Sequence, residues 1–225
     1  MYNAAKATRT VQIFEYTNRK GVTYYLHAHP RRGGTTQYTL KRSADGALAE
    51  LPAGYEVVEN VNGQVSVRRF RSRHITAEEE AEVRSSLAQR GLDAYRSEVK
   101  DAQITIFEPD RDPDEFAAEF DPFDMMPAGI GEQVKAMARE RFGDATLEEY
   151  LTERRERLRQ RLQETTRYSP VMRFRLADRE RRLFEVARMT ARGEGGWHVL
   201  DILPLAAAVK RYVKHVGRDS FFELI

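Results

Sequence analysis

Along the first 70 residues, short runs rich in Val, Thr, Tyr and Phe alternate apolar and polar positions, and turn residues separate the runs. The pattern predicts a β-meander with strands over 11–16, 22–26 and 35–41, turning at Asn18-Arg19-Lys20-Gly21, Gly33-Gly34 and Asp45-Gly46. The plainest hairpin spans 55–61 and 64–70, because Asn62-Gly63 supplies the two positive φ angles of a type I′ turn. From Thr76 the apolar period changes. Thr76 and Glu79 make a capping box, Val83 and Leu87 form the stripe that follows, and Gly91 ends the predicted helix. Strands over 94–99 and 103–107 complete an N-terminal sheet with one helix laid across it.

Between 108 and 126 the periodicity fails. Pro109, Pro113 and Pro122 interrupt an acidic stretch punctuated by Phe116, Phe120 and Phe123, which predicts a connector holding one short helix. Helices over 131–142 and 145–164 follow, the second with a narrow stripe of Leu147, Tyr150, Leu151, Leu158 and Leu162. Over 171–176, Arg173 and Arg175 alternate with Met172, Phe174 and Leu176, the mark of a half-buried strand, which turns at Ala177-Asp178-Arg179 into a second strand over 183–189. Pro204 opens a last helix to 213, and the apolar terminus over 220–225 is expected to dock. The fold class is therefore α+β: an N-terminal lobe over 1–108, an acidic connector over 109–128, and a C-terminal lobe of helices plus a β-hairpin over 129–225, packed on the first.

Composition narrows the chemistry. A chain of 225 residues without cysteine has no disulfide framework, no thiolate metal site and no cysteine nucleophile, which makes a reducing, cytoplasmic address the expectation. The N-terminus lacks the apolar core of a signal peptide, and no apolar run approaches the roughly 20 residues of a membrane helix, so no membrane partner is expected. Net charge is only +2, but it is blocked along the chain. Residues 1–74 carry 12 Lys or Arg against 5 Asp or Glu, 75–151 carry 8 against 20, and 152–192 carry 13 Arg against 6 acids. Two basic segments bracket an acidic one, so they either pair internally or meet partners.

Four phrases, Thr23-Tyr24-Tyr25-Leu26, Leu51-Pro52-Ala53-Gly54-Tyr55-Glu56, Asn62-Gly63-Gln64-Val65 and the ending Gly217 to Ile225, resemble a group of bacterial proteins of unknown activity. The resemblance covers both lobes and implies no cofactor and no catalytic residue.

Candidate chemistry is sparse. His27 and His29 share one face of a strand, a spacing that chelates a metal when a third ligand arrives, and none is evident in the sequence. Asp110, Asp112 and Asp114 have the first spacings of a calcium loop, but Glu115 replaces the required Gly and Asp121 the closing Glu. Glu98-Val99-Lys100 has the acid and lysine of metal-dependent nucleases, but Pro109-Asp110 comes after it, where those enzymes have an acid earlier on an adjacent strand. There is no phosphate-binding glycine loop and no Gly-x-Ser-x-Gly elbow. The arginines remain. On an extended chain Arg69, Arg71 and Arg73 would share a face at about 6.6 Å intervals, near the phosphate spacing of a nucleic-acid strand, with Arg68 beside them. Arg173 and Arg175 would make a second basic face, and Tyr24, Tyr25 and Tyr38 are nearby stacking candidates. The leading expectation is a non-catalytic binding or adaptor protein that meets nucleic acid or another acidic partner through Arg68, Arg69, Arg71, Arg73, Arg173 and Arg175, with no cofactor. The alternatives are a homo-oligomeric interaction module using the helix over 145–164, and a metal-dependent hydrolase using His27, His29 and Asp110 to Asp114.

Overall fold

Asn18 and Gly63 explain how the N-terminal strands are tied together. The computed structural model describes residues 13–190 and 196–224, and within them β1 (Glu15–Thr17), β2 (Thr23–Pro30) and β3 (Thr36–Lys41) form an antiparallel sheet in that order. β4 (Tyr55–Glu59) and β5 (Val65–Arg69) form a separate hairpin. The buried Asn18 side chain donates to the Gly63 carbonyl at 2.7 Å and accepts from the Lys20 and Val22 N–H groups, joining the β1–β2 turn to the tip of the β4–β5 hairpin. Glu59 reinforces the join by accepting from the Tyr16 hydroxyl and the Arg19 N–H, and burial followed by this Glu59 contact pushes the Tyr16 phenol up.

The hairpin tip differs from the type I′ expectation. Gly63 has φ +74°, but Asn62 is not in the left-handed region. Asn60 organises the loop instead: its Oδ1 accepts from Asn62 and Gln64, and its carbonyl accepts from Gly63. A five-residue loop results, which sets Tyr55 opposite Arg69. A two-residue loop centred on Asn62-Gly63 would have set Tyr55 opposite Phe70, and a one-residue slip exchanges the faces of a strand.

The chain divides into two units between Ser72 and Arg73, not after residue 108 as the sequence pattern suggested. The reason is strand pairing. α1 (Ala77–Ala88) is capped by Thr76 and Glu79 as expected and leads to β6 (Arg96–Lys100) and β7 (Gln103–Pro109). β7 pairs with β8 (Tyr168–Asp178), so these strands belong to the sheet of the second unit. That sheet runs β10-β9-β8-β7-β6, with β9 (Leu183–Met189) and β10 (Trp197–Pro204) completing it, antiparallel throughout. β10 is not evident in the sequence because a register shift between Val199 and Asp201 breaks its alternation.

Met172, Phe174 and Leu176 of β8 point to the same face as Ile104, Ile106, Phe184 and Val186, and Val83 and Leu87 of α1 pack on them. α5 (Leu205–Tyr212) adds Leu205, Ala208, Val209 and Tyr212, spaced as one helical stripe. Turns of 3₁₀ helix over Val213–His215 and Asp219–Phe221 bring the buried Phe221 onto this core, and Arg188 donates to the carbonyls of Phe222 and Leu224.

The expected acidic connector is the start of a helical insert within the β7–β8 hairpin. Its ends close on each other, Asp110 N–H donating to the Arg167 carbonyl at 2.8 Å. Between them lie α2 (Pro113–Glu119), α3 (Ile130–Phe142) and α4 (Asp144–Thr165). Gly143, at φ +80°, lets α3 stop and α4 start without a loop. Gly131 is needed for a different reason: a Cβ there would collide with the Phe123 carbonyl. No helix among the described residues is long and apolar enough to cross a membrane.

Candidate nucleic-acid interface

The six arginines singled out by sequence meet different fates. Arg173 and Arg175 share one face of the second sheet, as expected, but they are not free. Glu185 lies across the β8–β9 pairing from Arg175, accepts from it at 2.6 Å, and reaches Arg173 at 3.5 Å. The Arg173 guanidinium also lies 4.6 Å from the Trp197 ring centroid, and its Nε is buried without a hydrogen-bond partner. These two cations therefore share one carboxylate of the neighbouring strand. The expected second basic face is thus partly compensated, with one cation in excess and the Arg175 side chain still 54% exposed.

The arrangement predicts an asymmetry in stability. Glu185→Ala strands two guanidinium groups and is expected to cost about 2 kcal/mol, whereas Arg173→Met leaves Glu185 paired with Arg175 and removes an unsatisfied donor. Arg173→Met is expected to lie within about 1 kcal/mol of the parent in chemical denaturation. A larger loss for Arg173→Met than for Glu185→Ala would contradict this reading.

In the first unit, Arg68 donates through Nε to Glu56 at 2.8 Å. Strand geometry ends at Arg69, where the Phe70 N–H donates to the Gly54 carbonyl and closes the hairpin. The expected ladder of Arg69, Arg71 and Arg73 on one strand face is therefore not formed. Arg73 belongs to the second unit, 3.8 Å from Glu80. Arg69 and Arg71 are exposed and have no carboxylate partner among the described residues. Arg69 lies over the Tyr55 ring at 6.0 Å from its centroid, and Tyr55 meets Tyr38 of β3 edge-on at 4.7 Å. Phe70, between the two cations, is 68% exposed.

Of the tyrosines expected beside these arginines, the structure brings Tyr38 against Tyr55, the ring that Arg69 lies over. Tyr25 faces Lys41 and Glu15 across its strand partners, and Tyr24 faces Tyr16. Tyr55 was missed by sequence reasoning. Its signal was the hairpin itself, since counting pairs outward from a five-residue loop sets it against Arg69.

The remaining candidates have structural duties. His27 is buried and its Nε2 is 2.8 Å from the Ser43 carbonyl, while its ring stacks on that of His29 at 6.5 Å. Asp112 caps α2, Asp114 holds Arg159, and Asp110 accepts from the Arg167 N–H. Lys135 holds Asp121; burial raises that carboxyl, but the bonds from Lys135 and the Phe123 N–H outweigh it and keep it below the usual range. The acidic connector is thus matched partly by cations of α3 and α4, not by the sheet arginines. No group of three His, Asp or Glu able to hold a metal occurs among the described residues. The chain matches no family model, no curated protein and no solved structure.

Proposed function

We propose that the N-terminal unit binds single-stranded nucleic acid through the segment Arg69-Phe70-Arg71 and the tyrosines behind it. The observation that carries the reading is the contrast among arginines: Arg69 and Arg71 have no carboxylate partner among the described residues, while Arg68 holds Glu56 and Arg173 and Arg175 share Glu185. Residues 13–72 contain nine Lys or Arg and five Asp or Glu. Of those acids, Glu56 is taken by Arg68 and Glu59 by Tyr16 and Arg19, so the positive charge is left on the surface.

The chemistry favours an unpaired strand. The Arg69 guanidinium beside the Tyr55 ring can stack on a base, and the exposed Phe70 ring offers a second face, whereas a duplex hides its base faces. Arg69 and Arg71 can meet phosphates bidentately. With no groove-reading helix among the described residues of this unit, the binding supported here tolerates sequence and depends on salt.

The test is fluorescence anisotropy of labelled single-stranded DNA and RNA against the full chain over a series of salt concentrations. Affinity should fall steeply with salt, exceed that for the corresponding duplex, and survive Arg175→Ala. Absence of binding at low salt, or binding lost equally in Arg175→Ala, would refute the proposal.

A further inference from the structure

We propose that the helical insert over 110–167 is a dimerisation surface whose occupant is the same insert of a second copy of this chain, packed antiparallel. α3 divides its apolar side chains between two destinations. Val134 and Ala138 pack against Phe123, Leu147 and Leu151, whereas Ile130, Met137 and Phe142 are exposed, Met137 to 68% and Phe142 to 59%. Val134, Met137, Ala138 and Phe142 line a shallow groove of about 530 Å³, edged by Glu140 and Arg141. An apolar strip rimmed by charge on an otherwise polar helix pair marks an interaction surface.

The charges select the occupant. The first half of α4, 144–153, carries four carboxylates and no base, and the second half, 154–165, carries five arginines and two carboxylates. A two-fold axis crossing the α3–α4 pair reverses it, so the acidic half of each α4 faces the basic half of the other. A parallel arrangement sets like charge against like. Around residue 154 such an axis brings the end of α4 that holds Glu148 and Glu149 toward the end that holds Arg157 and Arg161 in the other copy, Arg157 also holding Glu153 of its own helix. A two-fold interface needs one self-complementary surface, and this insert has both requirements by itself: an apolar strip and a charge gradient that complements its own reversal.

The experiment is sedimentation velocity on the full chain at tens of micromolar and on dilution. A species of twice 26.0 kDa that dissociates on dilution is expected. Met137→Asp, at an exposed position, should weaken the dimer at least about tenfold. Glu148→Arg with Glu149→Arg should also yield monomer, and adding Arg157→Glu with Arg161→Glu should restore the dimer. A monomer at every concentration, a dimer indifferent to Met137→Asp, or a folded fourfold variant that stays monomeric would overturn the proposal; should the charge variants fail to fold, Met137→Asp decides. Failure here leaves the oligonucleotide reading untouched, since the two rest on different units.

Discussion

Replacing Arg69, Phe70 and Arg71 together by Ala is expected to lower affinity for single-stranded oligonucleotide at least about tenfold at moderate salt. The magnitude follows from three losses. One stacked base accounts for about 1–3 kcal/mol, and each lost phosphate contact removes about 0.7 from the slope of log K against log salt on a single strand. The slope should therefore fall by roughly 1.4 as the affinity falls. A structural role would leave another signature. All three side chains are exposed, so the substitutions are expected to change stability by no more than about 0.5 kcal/mol. Unchanged affinity in a folded triple variant would remove the segment from the interface.

Phe174→Ala carries the largest expected effect on stability. The ring is fully buried at the centre of β8, between Ile104 of β7 and Val186 of β9, beneath α1 and α5. Truncation leaves a cavity that the paired strands on either side prevent from collapsing, and about 3–5 kcal/mol is expected. At about 3 °C per kcal/mol for a unit of this size, the thermal midpoint should drop by roughly 10 °C. Trp197 is the single tryptophan and lies on β10 of the same sheet, so its fluorescence reports this unit. A shift of its denaturation midpoint corresponding to less than about 1 kcal/mol would contradict the placement of the core.

The two variants probe what was legible in the sequence and what was not. Local signals read correctly: the Thr76 to Glu79 capping box, the helices on either side of Gly143, and the alternation of Arg173 and Arg175 with Met172, Phe174 and Leu176 are all present as predicted. What failed was long-range. Nothing in the acidic stretch after Pro109 signals that the chain returns at Arg167 to pair β8 with β7, because that closure is made by backbone groups and by one carboxylate, Asp110, that the sequence does not set apart from its acidic neighbours. The unit boundary was misplaced for that reason.

The arginines show the same limit more sharply. Alternation put Arg173 and Arg175 on one face, but how far that face is compensated depended on the strand register that sets Glu185 against Arg175. In the first hairpin the apparent type I′ turn is displaced by Asn60, whose side-chain oxygen holds two backbone N–H groups. That single difference moves Tyr55 from opposite Phe70 to opposite Arg69, and with it the cation and ring on which the proposed interface rests.

Photo-cross-linking of a single-stranded oligonucleotide carrying 5-bromouridine to the full chain, with the attachment sites located by mass spectrometry, maps where the strand lies. Adducts are expected at Tyr38, Tyr55 or Phe70. Adducts confined to residues 73–225 would contradict the proposed interface.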